Sequence, residues 1–320
     1  MMKRVATVIG TIIGLLVLGV GGAAASVVLP SCGIDSIIRG AGAAGPSAAQ
    51  VSGVRDGRLA LRDGGEIHYR ESGQGTPILL IHGTGGDSGA WFGSFARLAE
   101  THRVIAYDRR GFGSSTPLMG DGYLDVQADD AAALITERGL APATVVGHSW
   151  GGLVALALAI KHPEMVATLV LMEPPYLAKE NATPDFLLTI VRVKLQAQFK
   201  SNQCAAATFF RFATHRTDGV TSFDQLPIQA QTAGLQSAAG SMAELDAGTG
   251  EELAEGQVAR IKVPVLLLEG AVSQPLFRSL AGHLATLLPQ AHVQVIPGAG
   301  HFIQFDQPAD FERAVLSIAR

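Results

Sequence analysis

One short stretch restricts this chain more than any other. Val145 and Val146 close an apolar run, and Gly147-His148-Ser149-Trp150-Gly151-Gly152 follows without a spacer. Val154 to Lys161 then reads as a helix. A strand that turns straight into a helix through G-x-S-x-G tolerates only small residues around the serine, and the tight turn pushes the hydroxyl into the open. The helix start behind it favours negative charge that develops there. G-x-S-x-G alone arises by chance in chains rich in Gly and Ser; strand, tight turn and helix in succession make a purely structural role a poor account.

The rest of the chain repeats the same rhythm. Short apolar runs at Ile78–Ile81, Val104–Tyr107, Thr144–Val146, Thr168–Met172, Val265–Leu268 and Val293–Ile296 alternate with longer helical patterns. Alternation of this kind implies crossover helices, and so an α/β fold whose mostly parallel sheet carries helices on both faces. Ahead of it, Arg58–Leu61 and Glu66–Arg70 flank Asp63-Gly64-Gly65, a β-hairpin that opens the sheet. From 175 to 258 the alternation breaks: Asp185–Lys200 and Ala205–Phe212 are helical and no buried strand is evident. This insertion reads as a helical lid, leaving the core to 54–174 and 259–320. Phe186, Leu187, Ile190, Phe199, Phe209, Phe210 and Phe212 are candidates to line an apolar pocket, although seating the lid on the core is the commoner duty of any one of them.

Lys3 and Arg4 precede Val5–Leu29, a segment without a charged residue. It is long enough to span a bilayer, so residues 1–32 are expected to be a transmembrane or signal-anchor segment. Two processed forms stay open: Ala23-Ala24-Ala25-Ser26 suits a signal peptidase, and Leu29-Pro30-Ser31-Cys32 resembles a lipobox. In each form the positive residues stay inside and the bulk of the chain is exported: membrane-anchored with an extracytoplasmic domain, or secreted, or a lipoprotein. Residues 33–53, rich in Gly, Ala and Ser, read as a flexible tether. The net charge of -4, with no cluster of Lys/Arg and aromatics, argues against nucleic acid as a partner. Cys32 and Cys204 lack the paired spacing of a zinc site or a disulfide framework and leave the redox compartment open.

Three further blocks accompany the serine in order. They are Leu79-Leu80-Ile81-His82-Gly83-Thr84-Gly85-Gly86, Asp108-Arg109-Arg110-Gly111-Phe112-Gly113-Ser114-Ser115 and Pro297-Gly298-Ala299-Gly300-His301-Phe302. With Gly147–Gly151 they resemble the α/β-hydrolase superfamily, in its serine-nucleophile branch, over roughly 54–320. The resemblance implies Ser149 as nucleophile, His301 as its base, and an oxyanion hole from the backbone N–H groups of Thr84 and Trp150. His148 is expected to point away into the structure, His82 to support the oxyanion loop, and Asp108 to hold its own turn.

The third member of the triad departs from the family's common pattern. Where G-x-x-D usually follows the seventh strand, Gly270-Ala271-Val272-Ser273 offers a serine. The family's alternative places the acid after the sixth strand, and Glu173 stands there, ahead of Pro174 and Pro175. Glu269, at the end of strand seven, is the runner-up. The function expected is hydrolysis of a small hydrophobic ester or related acyl substrate through an acyl-enzyme on Ser149, with no metal or organic cofactor. Carbon–carbon bond hydrolysis, aminopeptidase action and cofactor-free perhydrolysis use the same motifs. A silent ligand-binding protein on the same fold is the alternative from another class.

Overall fold

The computed structural model describes residues 31–41, 53–118, 123–176, 181–248 and 253–319. The strands are β1 (Arg55–Ala60), β2 (Glu66–Ser72), β3 (Pro77–Ile81), β4 (Arg103–Tyr107), β5 (Ala143–His148), β6 (Val166–Met172), β7 (Val265–Gly270) and β8 (Ala291–Ile296). They form one sheet in the order β1-β2-β4-β3-β5-β6-β7-β8. β2 runs antiparallel to both neighbours, and every pair from β4 to β8 is parallel. The expected hairpin is present, with Ala60 opposite Glu66.

Alternate residues of each central strand face opposite layers, as the two-residue period of a strand requires. Leu79, Ile81, Ile105, Val145, Leu169, Leu171 and Leu267 pack towards helices α3 (Tyr123–Glu137) and α4 (Trp150–Lys161). Leu80, Val104, Val146, Val170, Met172 and Leu268 pack the other way, against Trp91 and Phe95 of the α2 region (Phe92–Leu98) and Phe311 and Val315 of a C-terminal helix, Pro308–Ile318. Chain order leaves β3 for β4 on one side and returns to β5 on the other. The carboxyl ends of β3 and β5 thus flank the crevice where such sheets bind ligands.

The insertion expected to be a lid, called the lid for its place in the chain, holds α5 (Pro184–Phe199), α6 (Asn202–Thr214), α7 (Ser222–Gln225), α8 (Ile228–Gln236) and α9 (Ala238–Ala247), followed by the single turn α10 (Glu255–Val258). Local chemistry starts the first two: the Thr183 hydroxyl accepts from the Phe186 N–H with Pro184 in the first turn, and the Ser201 hydroxyl accepts from the Cys204 N–H. After β7 the chain forms α11 (Pro275–Leu287), and after β8 it forms α12 (Ile303–Asp306) and α13 (Pro308–Ile318).

Two expectations about the N-terminal part need correction. Asp35–Ala41, inside the stretch expected to be a flexible tether, is helix α1. Its Ile37 and the preceding Ile34 are buried with Phe210, Phe223 and Leu235 of the lid. The cysteines, 172 residues apart, form a disulfide, Cys32–Cys204, that stitches this helix to α6. A sulfur so bonded cannot also carry a lipid, which removes the lipobox reading at Cys32. The expected anchor, Val5–Leu29, lies outside the described residues; among the described residues no helix is long and apolar enough to cross a membrane.

A cross-link closing so long a loop is worth about 2 to 4 kcal/mol. Replacing both cysteines by serine is expected to lower the thermal midpoint by about 4 °C or more, since each kcal/mol moves it by about 2 to 4 °C in a domain of this size. Scanning calorimetry of the variant beside the oxidised wild type checks this; an unchanged midpoint would show that α1 is not held by the bond.

Candidate active site

The loops after β3, β5, β6, β7 and β8 meet at the carboxyl edge of the sheet. Ser149 follows β5 and caps α4 with φ 51° and ψ -122°, a backbone conformation rare outside glycine. The neighbours explain its sequence: a Cβ on Gly147 would lie 2.5 Å from the Gly151 carbonyl oxygen, and one on Gly151 would lie 2.2 Å from that of Ile81. Larger residues cannot take this turn. The Ser149 N–H donates to the Met172 carbonyl at 2.8 Å, which ties the elbow to the neighbouring strand.

Glu173 leaves β6 with φ 45°, the second non-glycine residue of the site in the left-handed region. Its carboxylate is buried and accepts from three donors. The Gly270 N–H reaches Oε1 at 2.8 Å, the Ser273 hydroxyl reaches Oε2 at 2.7 Å, and Nδ1 of His301 lies 2.7 Å from Oε2. Ser273, at the position where the family's common pattern has an aspartate, therefore hydrogen-bonds the carboxylate that His301 also contacts. Glu269 is also mostly buried; burial and the nearby Glu173 charge push its carboxyl up, and no hydrogen bond joins it to His301 among the described residues. His301 is buried and stacks on Phe277 with ring centroids 3.8 Å apart.

The other two histidines near the edge behave differently. Nε2 of His148 donates to the His301 carbonyl at 3.0 Å, so His148 does not simply point away: it holds the histidine loop. Burial, and then the His301 ring, drive its pKa well down, leaving it neutral. His82 donates from Nδ1 to the Gly83 carbonyl at 2.7 Å and accepts at Nε2 from the Arg109 N–H at 3.0 Å. Burial and the Arg109 charge bring its pKa down to about 3, which suits a strut and not a base. Asp108 holds its turn as expected. Burial would raise its carboxyl, but His68 and the N–H groups of Ser114 and Ser88 outweigh that and bring it to about 2.

Ser149, Trp150 and Thr84 border a cavity of about 30 Å³ walled by Phe186, Phe209, Phe212, Leu245 and Phe277. Three of the apolar lid residues singled out from sequence thus line it. Phe210 and Ile190 are buried in lid packing instead, while Leu187 and Phe199 are 41% and 54% exposed. His148 and Ser273 are the site residues that motif reading missed; only their adjacency to Ser149 and to the empty acid position signalled them. Among the described residues no group of three His, Cys, Asp or Glu side chains is placed to hold a metal ion.

Residues 76–308 match the family model described as alpha/beta hydrolase fold. The chain belongs to the α/β-hydrolase family. Over 271 residues it is 32% identical to a 2-hydroxymuconate semialdehyde hydrolase of Pseudomonas putida, covering 81% of this chain and 92% of the relative. A putative non-heme chloroperoxidase of Synechocystis sp. is 31% identical over 75% of this chain and 90% of its own length. Other matches are partial: the 2-hydroxymuconate semialdehyde hydrolase of Pseudomonas sp. (strain CF600) is 41% identical over 120 residues, 36% of this chain and 42% of the relative. Among solved structures, a thermophilic esterase from Thermogutta terrifontis superposes with a TM-score of 0.68 at 24% identity, over 82% of this chain and 97% of that one. A bromoperoxidase from Bacillus anthracis does so with 0.69 at 23% identity, over 82% and 99%. These structures show the fold; the family and the sequence relatives imply a hydrolase acting on small molecules.

The contacts of Glu173 generate a direct expectation. Glu173→Gln is expected to lower kcat for ester hydrolysis by about 10² to 10⁴, the cost of a misheld imidazole tautomer in comparable triads. Glu269→Gln should leave kcat within about tenfold. Steady-state kinetics of both variants beside their thermal midpoints decide between the two carboxylates: collapse in the Glu269 variant with near-normal turnover in the Glu173 variant would falsify the assignment.

Proposed function

We propose that this α/β-hydrolase cleaves carboxylic esters with small apolar acyl groups, through an acyl-enzyme on Ser149. One observation carries the reading: a buried Glu173–His301 hydrogen bond beside a strained serine elbow that opens on an apolar cavity. In this mechanism the Ser149 hydroxyl attacks the ester carbonyl while Nε2 of His301 takes its proton. Glu173 fixes the tautomer through Nδ1 and steadies the imidazolium. The backbone N–H groups of Thr84 and Trp150 receive the negative charge of the tetrahedral intermediate, which collapses as His301 protonates the departing alkoxide. Water, activated by the same histidine, then attacks the acyl-enzyme; the acid is released and Ser149 restored.

A cavity of about 30 Å³ has room for roughly two water molecules, which suits an acyl chain of a few carbons. A second reading is carbon–carbon bond hydrolysis. The full-length similarity to a 2-hydroxymuconate semialdehyde hydrolase, whose named substrate is a semialdehyde and not an ester, favours it. The apolar character of the cavity walls favours the ester. As to location, a disulfide persists in an oxidising compartment, so Cys32–Cys204 supports an exported domain, which Val5–Leu29 would hold at a membrane.

The test combines labelling and turnover. A fluorophosphonate is expected to label the wild type covalently and to leave Ser149→Ala unlabelled and inactive. Across p-nitrophenyl esters, kcat/KM should be highest at about two to four acyl carbons and fall ~10-fold or more by eight. A folded wild type that neither labels nor turns over any ester of the series would sink the hydrolase reading in favour of a binding protein.

A further inference from the structure

Glu244 lies on lid helix α9, is fully buried, and has no part in the mechanism above. Its carboxylate is paired with the guanidinium of Arg109, which is equally buried and comes from the loop after β4. Arg109 in turn grips the oxyanion loop. Its Nε donates to the His82 carbonyl at 2.8 Å, and its backbone N–H donates to Nε2 of His82 at 3.0 Å. His82 stands two residues before Thr84, and its own ring braces the Gly83 carbonyl. Burial pushes the Glu244 carboxyl up, while Arg109, and then the side chains of Thr84 and Gln127, pull against that rise from close by.

The backbones agree with the side chains. A Cβ on Gly240 of α9 would lie 2.3 Å from the Gly111 carbonyl oxygen, so this helix sits directly on the loop that carries Arg109. A Cβ on Gly85 would lie 2.2 Å from the Phe210 ring of α6, so the lid also touches the oxyanion loop just past Thr84. The residue after Glu244, Leu245, is part of the cavity wall. One helix thereby presents an apolar side chain to the acyl group and an anion to the cation that holds the oxyanion loop.

We infer that Glu244 is a positioning residue: through Arg109 it sets the His82-Gly83-Thr84 loop, so that the oxyanion hole is in register only while α9 is seated on the core. The inference rests on the hydrolase reading. A buried cation without its anion turns towards whatever acceptors remain, and the His82 carbonyl would be drawn with it. Displacing a reacting or stabilising group by about 1 Å is enough to cost ~10²-fold in rate.

Removal of one buried partner alone endangers folding, whereas apolar replacement of both is often neutral. The deciding protein is therefore the full chain carrying Arg109→Met with Glu244→Leu, with Glu244→Gln beside it. For p-nitrophenyl acetate the double variant is expected to keep a wild-type thermal midpoint within a few degrees and KM within about threefold, and to lose ~10²-fold in kcat. Its affinity for phenylboronic acid, whose tetrahedral adduct on Ser149 puts an oxygen in the oxyanion hole, should fall in parallel with kcat. A merely structural role would not move that affinity apart from KM. Glu244→Gln, whose amide oxygen still accepts from Arg109, should recover most of the lost kcat. A folded double variant with kcat and boronate affinity within about threefold of an active wild type overturns the inference and leaves the hydrolase reading standing. A wild type inactive on every ester overturns both.

Discussion

The site hangs on one pairing in the sheet, His148 of β5 opposite Met172 of β6. The residues that follow this pair are Ser149 and Glu173, so one register delivers both to the same edge at neighbouring positions. The Ser149 N–H bonds to the Met172 carbonyl, and the Glu173 N–H to the Leu268 carbonyl at 3.3 Å, before both residues turn into the left-handed region. Such conformations cost about 1 to 3 kcal/mol each and persist only where the surroundings over-determine them. Here the surroundings are the alternating faces of β6: Val170 and Met172 in one layer, Leu169 and Leu171 in the other. A slip by one residue would exchange the faces, so the packing that fixes the core also fixes the distance between hydroxyl and carboxylate.

In the proposed triad the acid stands at the end of β6, and this changes what strand seven must supply. A buried carboxylate is tolerable only with donors around it, and Glu173 obtains two of its three from the end of β7 and the turn that follows: the Gly270 N–H and the Ser273 hydroxyl. An aspartate at 273 would bring a second negative charge to the same pocket, and like charges in one site force one of them to keep its proton. The effect is already visible at Glu269, whose carboxyl is pushed up by burial and by Glu173. Glu173 and Ser273 are thus a matched exchange, charge at one strand end and hydroxyl at the next.

Much of this was legible in the sequence because it rests on local periods. Six apolar runs gave the six strands of the parallel part, Asp63-Gly64-Gly65 gave the hairpin, and G-x-S-x-G gave the elbow. Glu173 came from the family resemblance, which allows an acid after the sixth strand, and its carboxylate lies 2.7 Å from His301. The misreadings arose where tertiary contact decides. Among the described residues of α1 and its lead-in only Ile34 and Ile37 are buried, too few to show a helical period in a segment rich in Gly, Ala and Ser. The disulfide joins residues 172 apart and exists because α1 docks on the lid, chiefly on α8, which no spacing rule contains. In α5, Phe186, Ile190 and Val193 occupy one face, and Leu187 and Phe199 lie off it. Counting apolar residues in that helix misled where their phase would not have. His148 ends β5 next to Ser149, but the side chain's reach to the His301 carbonyl depends on a loop 153 residues away.

The lid is held by three fastenings that resist different motions. The disulfide fixes α6 to α1 at one point and permits rotation about it. The apolar clusters around Phe210 and Leu245 oppose separation but are not directional, so helices can slide within them. The Arg109–Glu244 pair is directional and buried, and removing either member leaves the other's charge uncompensated, a cost of about 3 to 5 kcal/mol. Helix α9 is therefore the least free part of the lid. By contrast α5 presents Leu187, Leu188 and Phe199 to solvent and sets Phe186 in the cavity wall.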